Sequence, residues 1–105
     1  MGARKPQITT QTLRVLSAFT SPSALELSGA DISKMTGLRS GTLYPILSRL
    51  EHAKWLHSRW EAEEPQTLGR PRRRLYRLTA LGERETKLAY LQVSRLIGGL
   101  TWEPS

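Results

Sequence analysis

A mainly helical chain with one small β-hairpin is what these 105 residues predict. Three observations carry that expectation. Apolar residues recur at helical spacing in Ile8–Phe19, Leu43–Leu50 and Leu81–Ile97. A capping signal at Ser28 and a glycine at Gly37 bracket a second, short helix ahead of the one that holds Leu43 to Leu50. From Trp55 to Leu78 the chain turns β in character, broken by Pro65, Gly69 and Pro71.

The first helix starts at a Thr9 or Thr10 cap and buries Leu13, Leu16 and Phe19, flanked by Val15, until Ser21-Pro22-Ser23 stops it. Leu25-Glu26-Leu27 has room for a stub of strand. Ser28-Gly29-Ala30-Asp31 has the spacing of a capping box, so the second helix starts there, turns Ile32 and Met35 inward and ends at Gly37. Leu43, Ile46, Leu47 and Leu50 form the inward stripe of the third helix, and Pro45 places its start near Ser40–Thr42. A capped helix, a glycine turn and a second amphipathic helix make a helix-turn-helix. Trp55–Trp60 and Arg72–Leu78 are the strands of a hairpin, with Arg74, Tyr76 and Leu78 on one face and Glu61–Pro71 as a mobile tip. The whole reads as a winged helix-turn-helix. Thr79 caps a last helix from Ala80 to about Ile97, and Gly98-Gly99 breaks it. Leu81, Leu88, Leu91 and Leu96 form its seam, widened by Ala89, Tyr90, Val93 and Ile97. That seam has more apolar surface than so small a domain can cover, so it reads as a dimerisation helix.

Composition narrows function. The absence of cysteine excludes a disulfide framework, a thiolate metal site and a cysteine nucleophile. Asp31 is the single aspartate, and His52 and His57 have no carboxylate cluster beside them, so neither a metal nor a cofactor is expected and no enzyme can be assembled. No apolar run approaches the roughly 20 residues of a membrane helix, which points to a cytoplasmic protein without a membrane partner. The formal charge is +7, and five of the nine residues from Gly69 to Arg77 are arginine. A smaller cluster, Arg4-Lys5, opens the chain. The acids of Glu61-Ala62-Glu63-Glu64 stand at the ascending edge of the wing, where they offset part of that basic charge.

Three co-linear segments resemble the PadR-type transcriptional regulators. Ser40-Gly41-Thr42-Leu43-Tyr44-Pro45-Ile46-Leu47-Ser48-Arg49-Leu50-Glu51 is similar to that family's recognition helix, and Trp55–Glu61 to its first wing strand. Gly69–Gly82 is similar to its second strand and the start of its last helix. Two positions depart from the pattern: Gly29 is followed by Ala30 where the family commonly has Gly-Tyr, and Lys54 stands where a glycine closes the recognition helix. The resemblance implies a homodimer that sets one recognition helix per protomer into successive major grooves of a near-palindromic operator, most simply as a repressor.

On that reading the partner is double-stranded DNA. Ser40, Gly41, Thr42, Tyr44 and Pro45 form the end of the helix that meets the groove, and Tyr44 also has a packing role against the wing. Arg39 and Arg49 reach phosphates or a guanine edge. Gly69-Arg70-Pro71 matches the core of the AT-hook tripeptide, which assigns Arg70 to the minor groove and Arg72 and Arg73 to phosphates. Arg74 shares a face with Tyr76 and can instead pair with Glu51. Tyr90 and Trp102 serve either as seam core or as the wall of a site for a small aromatic effector. The expected organisation is an arm over 1–7, a DNA-binding domain over 8–79, a dimerisation helix over 80–97 and a tail over 98–105. The alternative is a winged-helix module that binds another protein through the same surface.

Overall fold

The computed structural model describes residues 5–21 and 25–98. Arg4, the Pro22-Ser23 stop, Gly99 and the tail with Trp102 lie outside them. The predicted winged helix-turn-helix is the fold observed. Its elements run α1 (Thr10–Ala18), β1 (Leu27–Ser28), α2 (Gly29–Thr36), α3 (Ser40–His52), β2 (Leu56–Trp60), α4 (Pro65–Leu68), β3 (Arg74–Leu78) and α5 (Ala80–Gly98).

Local chemistry sets the helix ends. The Thr9 hydroxyl accepts from the Thr12 N–H at 3.1 Å and starts α1. Ser28 and Asp31 cap α2 reciprocally: the Asp31 N–H donates to Ser28 Oγ at 3.1 Å, and the Ser28 N–H to Asp31 Oδ2 at 3.0 Å. Gly37, with φ of 76°, closes α2 in the left-handed conformation. Lys54 adopts the same region, φ 68°, just after α3. Thr79 caps α5 by accepting from the Gly82 N–H at 3.0 Å while donating to the Lys54 carbonyl at 2.6 Å.

The three strands form an antiparallel sheet in the order β1-β3-β2. Tyr76 is the hinge of its register, opposite Leu27 on one side and Ser58 on the other. Leu16, Ile32, Leu43, Leu47, Leu50 and Leu56 are fully buried between the helices and the sheet, with Trp55 and Tyr76 against them. Each such aliphatic side chain contributes about 1.5–3 kcal/mol.

Several expectations need correction. Met35 does not face inward; it is 52% exposed. Thr36 takes the inward position, because its hydroxyl donates to the Ile32 carbonyl at 2.7 Å and accepts from the Leu38 N–H at 3.2 Å. Leu13 is only half-buried, since Thr12, Val15 and Leu16 occupy the packed face of α1. The segment from Glu61 to Pro71 is not a bare loop: it contains α4 and is tied by ion pairs. The apolar residues of α5 divide between two faces. Thr86 and Ala89 are buried and Val93 half-buried against the domain, whereas Leu88 and Leu91 are 46% and 48% exposed. Among the described residues no helix is long and apolar enough to cross a membrane.

Candidate nucleic-acid interface

The two faces of α3 have opposite fates. Leu43, Ile46, Leu47 and Leu50 hold it to the core, which turns Ser40, Gly41, Thr42, Tyr44, Pro45 and Arg49 to solvent, with Arg39 exposed just ahead of them. Arg39 occupies the N-cap position without a side-chain cap bond. The Thr42 N–H donates to the Arg39 carbonyl at 3.0 Å, while the first N–H groups of the helix, at Ser40 and Gly41, receive no side-chain cap and are oriented to meet an anion.

Tyr44 joins this face to the rest of the molecule. Its phenol covers Gly29 at the first position of α2, where any side chain would collide with it. Gly29, Tyr44, Trp60, Arg72, Arg73 and Arg74 line one groove, so the exposed end of α3 and the basic segment leading into β3 form a continuous surface. A second groove, at the other end of α3, brings Arg49, Ser48 and His52 beside Lys5, Pro6 and Gln7. Lys5 is tied to α5 through an ion pair with Glu85 at 3.0 Å.

The wing arginines differ in their partners. Arg70 is half-buried and makes a bidentate pair with Glu61, Nη1 to Oε1 at 2.7 Å and Nη2 to Oε2 at 3.0 Å. Arg72 donates to the Glu63 carbonyl at 3.0 Å and pairs with Glu64 at 3.1 Å. Among the described residues the exposed Arg73 side chain has no ion pair, while its N–H donates to Glu61 Oε1 at 2.8 Å. The Arg70 guanidinium, and then the Arg73 N–H, pull the Glu61 carboxyl down to about 2. Arg74 points into the fold. It donates to Ser58 Oγ at 2.8 Å, lies 3.5 Å from Glu51 and stands 5.4 Å over the Trp60 ring, while Ser58 in turn donates to Glu51. The pairing with Glu51 is the one its place on the strand suggests. Burial, with the Glu51 carboxylate close by, pushes the Tyr76 phenol up.

Two residues of this surface escape sequence reasoning. Gly29 is one; its signal is the Ser-Gly pair that opens a capping box, which gives no hint of a ring arriving from another helix. Glu61 is the other, because charge alone does not choose among Glu61, Glu63 and Glu64 as the partner of Arg70. Leu81, Leu88, Leu91 and Leu96 are exposed along α5. Tyr90 lines a separate cleft with Phe19, Thr20, Leu78 and Thr86.

Comparison with known proteins agrees with this geometry. The sequence model of the transcriptional regulator PadR-like family matches residues 27–88. In structure the chain is similar to a PadR family transcriptional regulator from Eggerthella lenta, at 26% identity and a TM-score of 0.70, over 87% of this chain and 78% of that one. It is also similar to a PadR family transcription regulator from Clostridium difficile, at 24% identity and a TM-score of 0.70, over 88% of this chain and 94% of that one. Bacillus subtilis PadR, solved in complex with operator DNA, shares the fold at 18% identity and a TM-score of 0.64, over 96% of this chain and 52% of that one. Among curated proteins none matches the sequence. With the family's recognition helix, wing and last-helix start all inside the matched span, the chain belongs to the PadR-like family of transcriptional regulators.

Proposed function

We propose that the chain is a homodimeric, sequence-specific repressor that reads an inverted repeat in double-stranded DNA, with α3 in the major groove and the wing over the minor groove. The observation that carries this reading is the continuity of the exposed end of α3 with the arginines of the wing in one groove. Ser40, Thr42 and Tyr44 offer hydrogen bonds to base edges and phosphates, Gly41 and Pro45 keep that turn close to the groove floor, and Arg39 and Arg49 flank it with charge. Arg72 and Arg73 hold phosphates, and Arg70 reaches the minor groove once it leaves Glu61. The operator complex of the Bacillus subtilis relative supports the same use of the shared fold.

Dimerisation follows from α5. Leu81, Leu88, Leu91 and Leu96 face solvent on a helix whose other side is already packed, and a second copy is the occupant that gives two recognition helices. Two-fold pairing places the half-sites about 34–36 Å apart, one helical turn. In vitro selection of bound DNA with the purified protein, at two salt concentrations, tests the reading. An enriched inverted repeat supports it; the absence of any enriched sequence overturns it in favour of a protein-binding module.

A further inference from the structure

The wing arginines at positions 70, 72 and 73 are not equally available. Arg73 is exposed and without an ion pair among the described residues. Arg72 is bound to Glu64, a partner whose side chain is itself 70% exposed. Arg70 is clamped: both its terminal nitrogens meet both oxygens of Glu61, whose side chain is only 13% exposed. Bidentate guanidinium–carboxylate pairs combine charge with a fixed geometry and are the strongest of the common ion pairs.

Glu61 is also part of the sheet's continuation. Beyond the last register pair, Trp60 with Arg74, the Glu61 N–H donates to the Arg73 carbonyl at 3.0 Å. The return bond, from the Arg73 N–H, goes to the Glu61 carboxylate instead of its backbone. The carboxylate is thereby fixed by the backbone of one wing strand while it holds the side chain of Arg70.

Building on the DNA-binding reading above, we propose that Glu61 is a specificity-determining residue of the wing, withholding Arg70 from DNA until the recognition helix is seated. On random DNA, moving Arg70 from carboxylate to phosphate exchanges one anionic partner for another and leaves the Glu61 charge facing a polyanion. Arg70 therefore neutralises no phosphate there, and nonspecific affinity, which follows the number of phosphates neutralised, stays low. On its own operator, contacts made by α3 hold the wing against the minor groove, and the high local concentration of DNA drives the exchange. The same arginine then adds to specific binding alone.

A mutant cycle on a fluorescein-labelled, random-sequence duplex of about three helical turns tests this, read by anisotropy from 50 to 200 mM salt. Glu61→Gln keeps an oxygen for the Arg73 N–H and removes the charge. It is expected to tighten binding several-fold and to steepen the slope of log K against log salt by about 0.9 per protomer, the share of one added phosphate contact. Arg70→Ala, which uncovers the Glu61 charge, is expected to bind random DNA no more tightly than the wild type, and the double variant to lose the gain. Glu61→Asp, one methylene short of Arg70, is expected to move in the same direction with smaller amplitude. An E61Q affinity and slope equal to wild type overturn the proposal, and so does a gain that survives in the double variant, since that gain comes from lost negative charge alone. A wild-type protein without salt-dependent affinity for the duplex overturns the DNA-binding reading itself, and this proposal with it.

Discussion

The phenol of Tyr44 covers Gly29 so closely that a methyl group at position 29 would overlap its ring. One contact thus links the first residue of α2 to the exposed face of α3, and the absence of a side chain at position 29 sets where Tyr44 points. Gly29→Ala introduces the overlap at the far end of a half-exposed side chain, which can swing away. Stability is expected to change by less than about 1 kcal/mol, as alanine is also the better helix former. DNA affinity is expected to fall about tenfold, because Tyr44 is displaced from the groove, and paired thermal melts and gel shifts measure both. A large loss of stability with intact affinity would contradict this assignment.

Lys54 holds a left-handed backbone, φ 68°, just after α3, a conformation that favours glycine. Non-glycine residues there carry strain of roughly 1–2 kcal/mol, partly offset by the greater unfolded-state freedom that glycine would bring. Lys54→Gly is therefore expected to stabilise the fold by roughly 0.5–1 kcal/mol, a rise of several degrees in Tm for a domain of this size. Calorimetry checks it, and an unchanged or lower Tm counts against the strain.

Leu88 and Leu91 are half-exposed on α5, at the rim of a cleft shared with Ile8, Trp55 and Ala89. Replacing both with glutamate is expected to leave the winged helix folded and to convert the proposed dimer into a monomer in sedimentation. Loss of helical signal together with association would show that these leucines serve the fold itself.

Much of this architecture is legible in the sequence because its signals are local. Ser28 and Asp31 announce the start of α2 three residues apart, Gly37 announces its end, and the Leu43–Leu50 stripe fixes which face of α3 is outward. What escaped depends on partners distant in sequence or on competition between neighbours. Thr36 displaces Met35 from the core because a hydroxyl there closes two backbone hydrogen bonds, which hydrophobicity does not weigh. The Glu61–Arg70 pair spans the whole wing, and α4 between them exists because Pro65 can start a turn of helix that Gly69 ends. The α5 seam looks continuous on paper, yet packing against α1 and β3 takes Ala89 and leaves Leu88 and Leu91 outside.

Acid is expected to weaken the wing. The Glu61 carboxyl, held down to about 2 by Arg70 and the Arg73 N–H, is depressed relative to its unfolded value near 4.5. Its stabilisation is complete above that unfolded value and is lost as pH falls through about 2. Glu26, lowered by its pair with Arg59, acts in the same direction. Urea melts between pH 5 and 2 are expected to show a falling stability in the wild type and a flatter acid limb in Glu61→Gln. Parallel curves for the two proteins would contradict the pairing.

The salt dependence of duplex binding tests the central claim most directly. A dimer that neutralises about 6–10 phosphates loses roughly 10³–10⁵ in affinity between 50 and 200 mM salt, and this surface of exposed arginines around α3 and the wing predicts a loss in that range. An affinity that stays constant across the same titration would contradict the assignment of that surface to DNA.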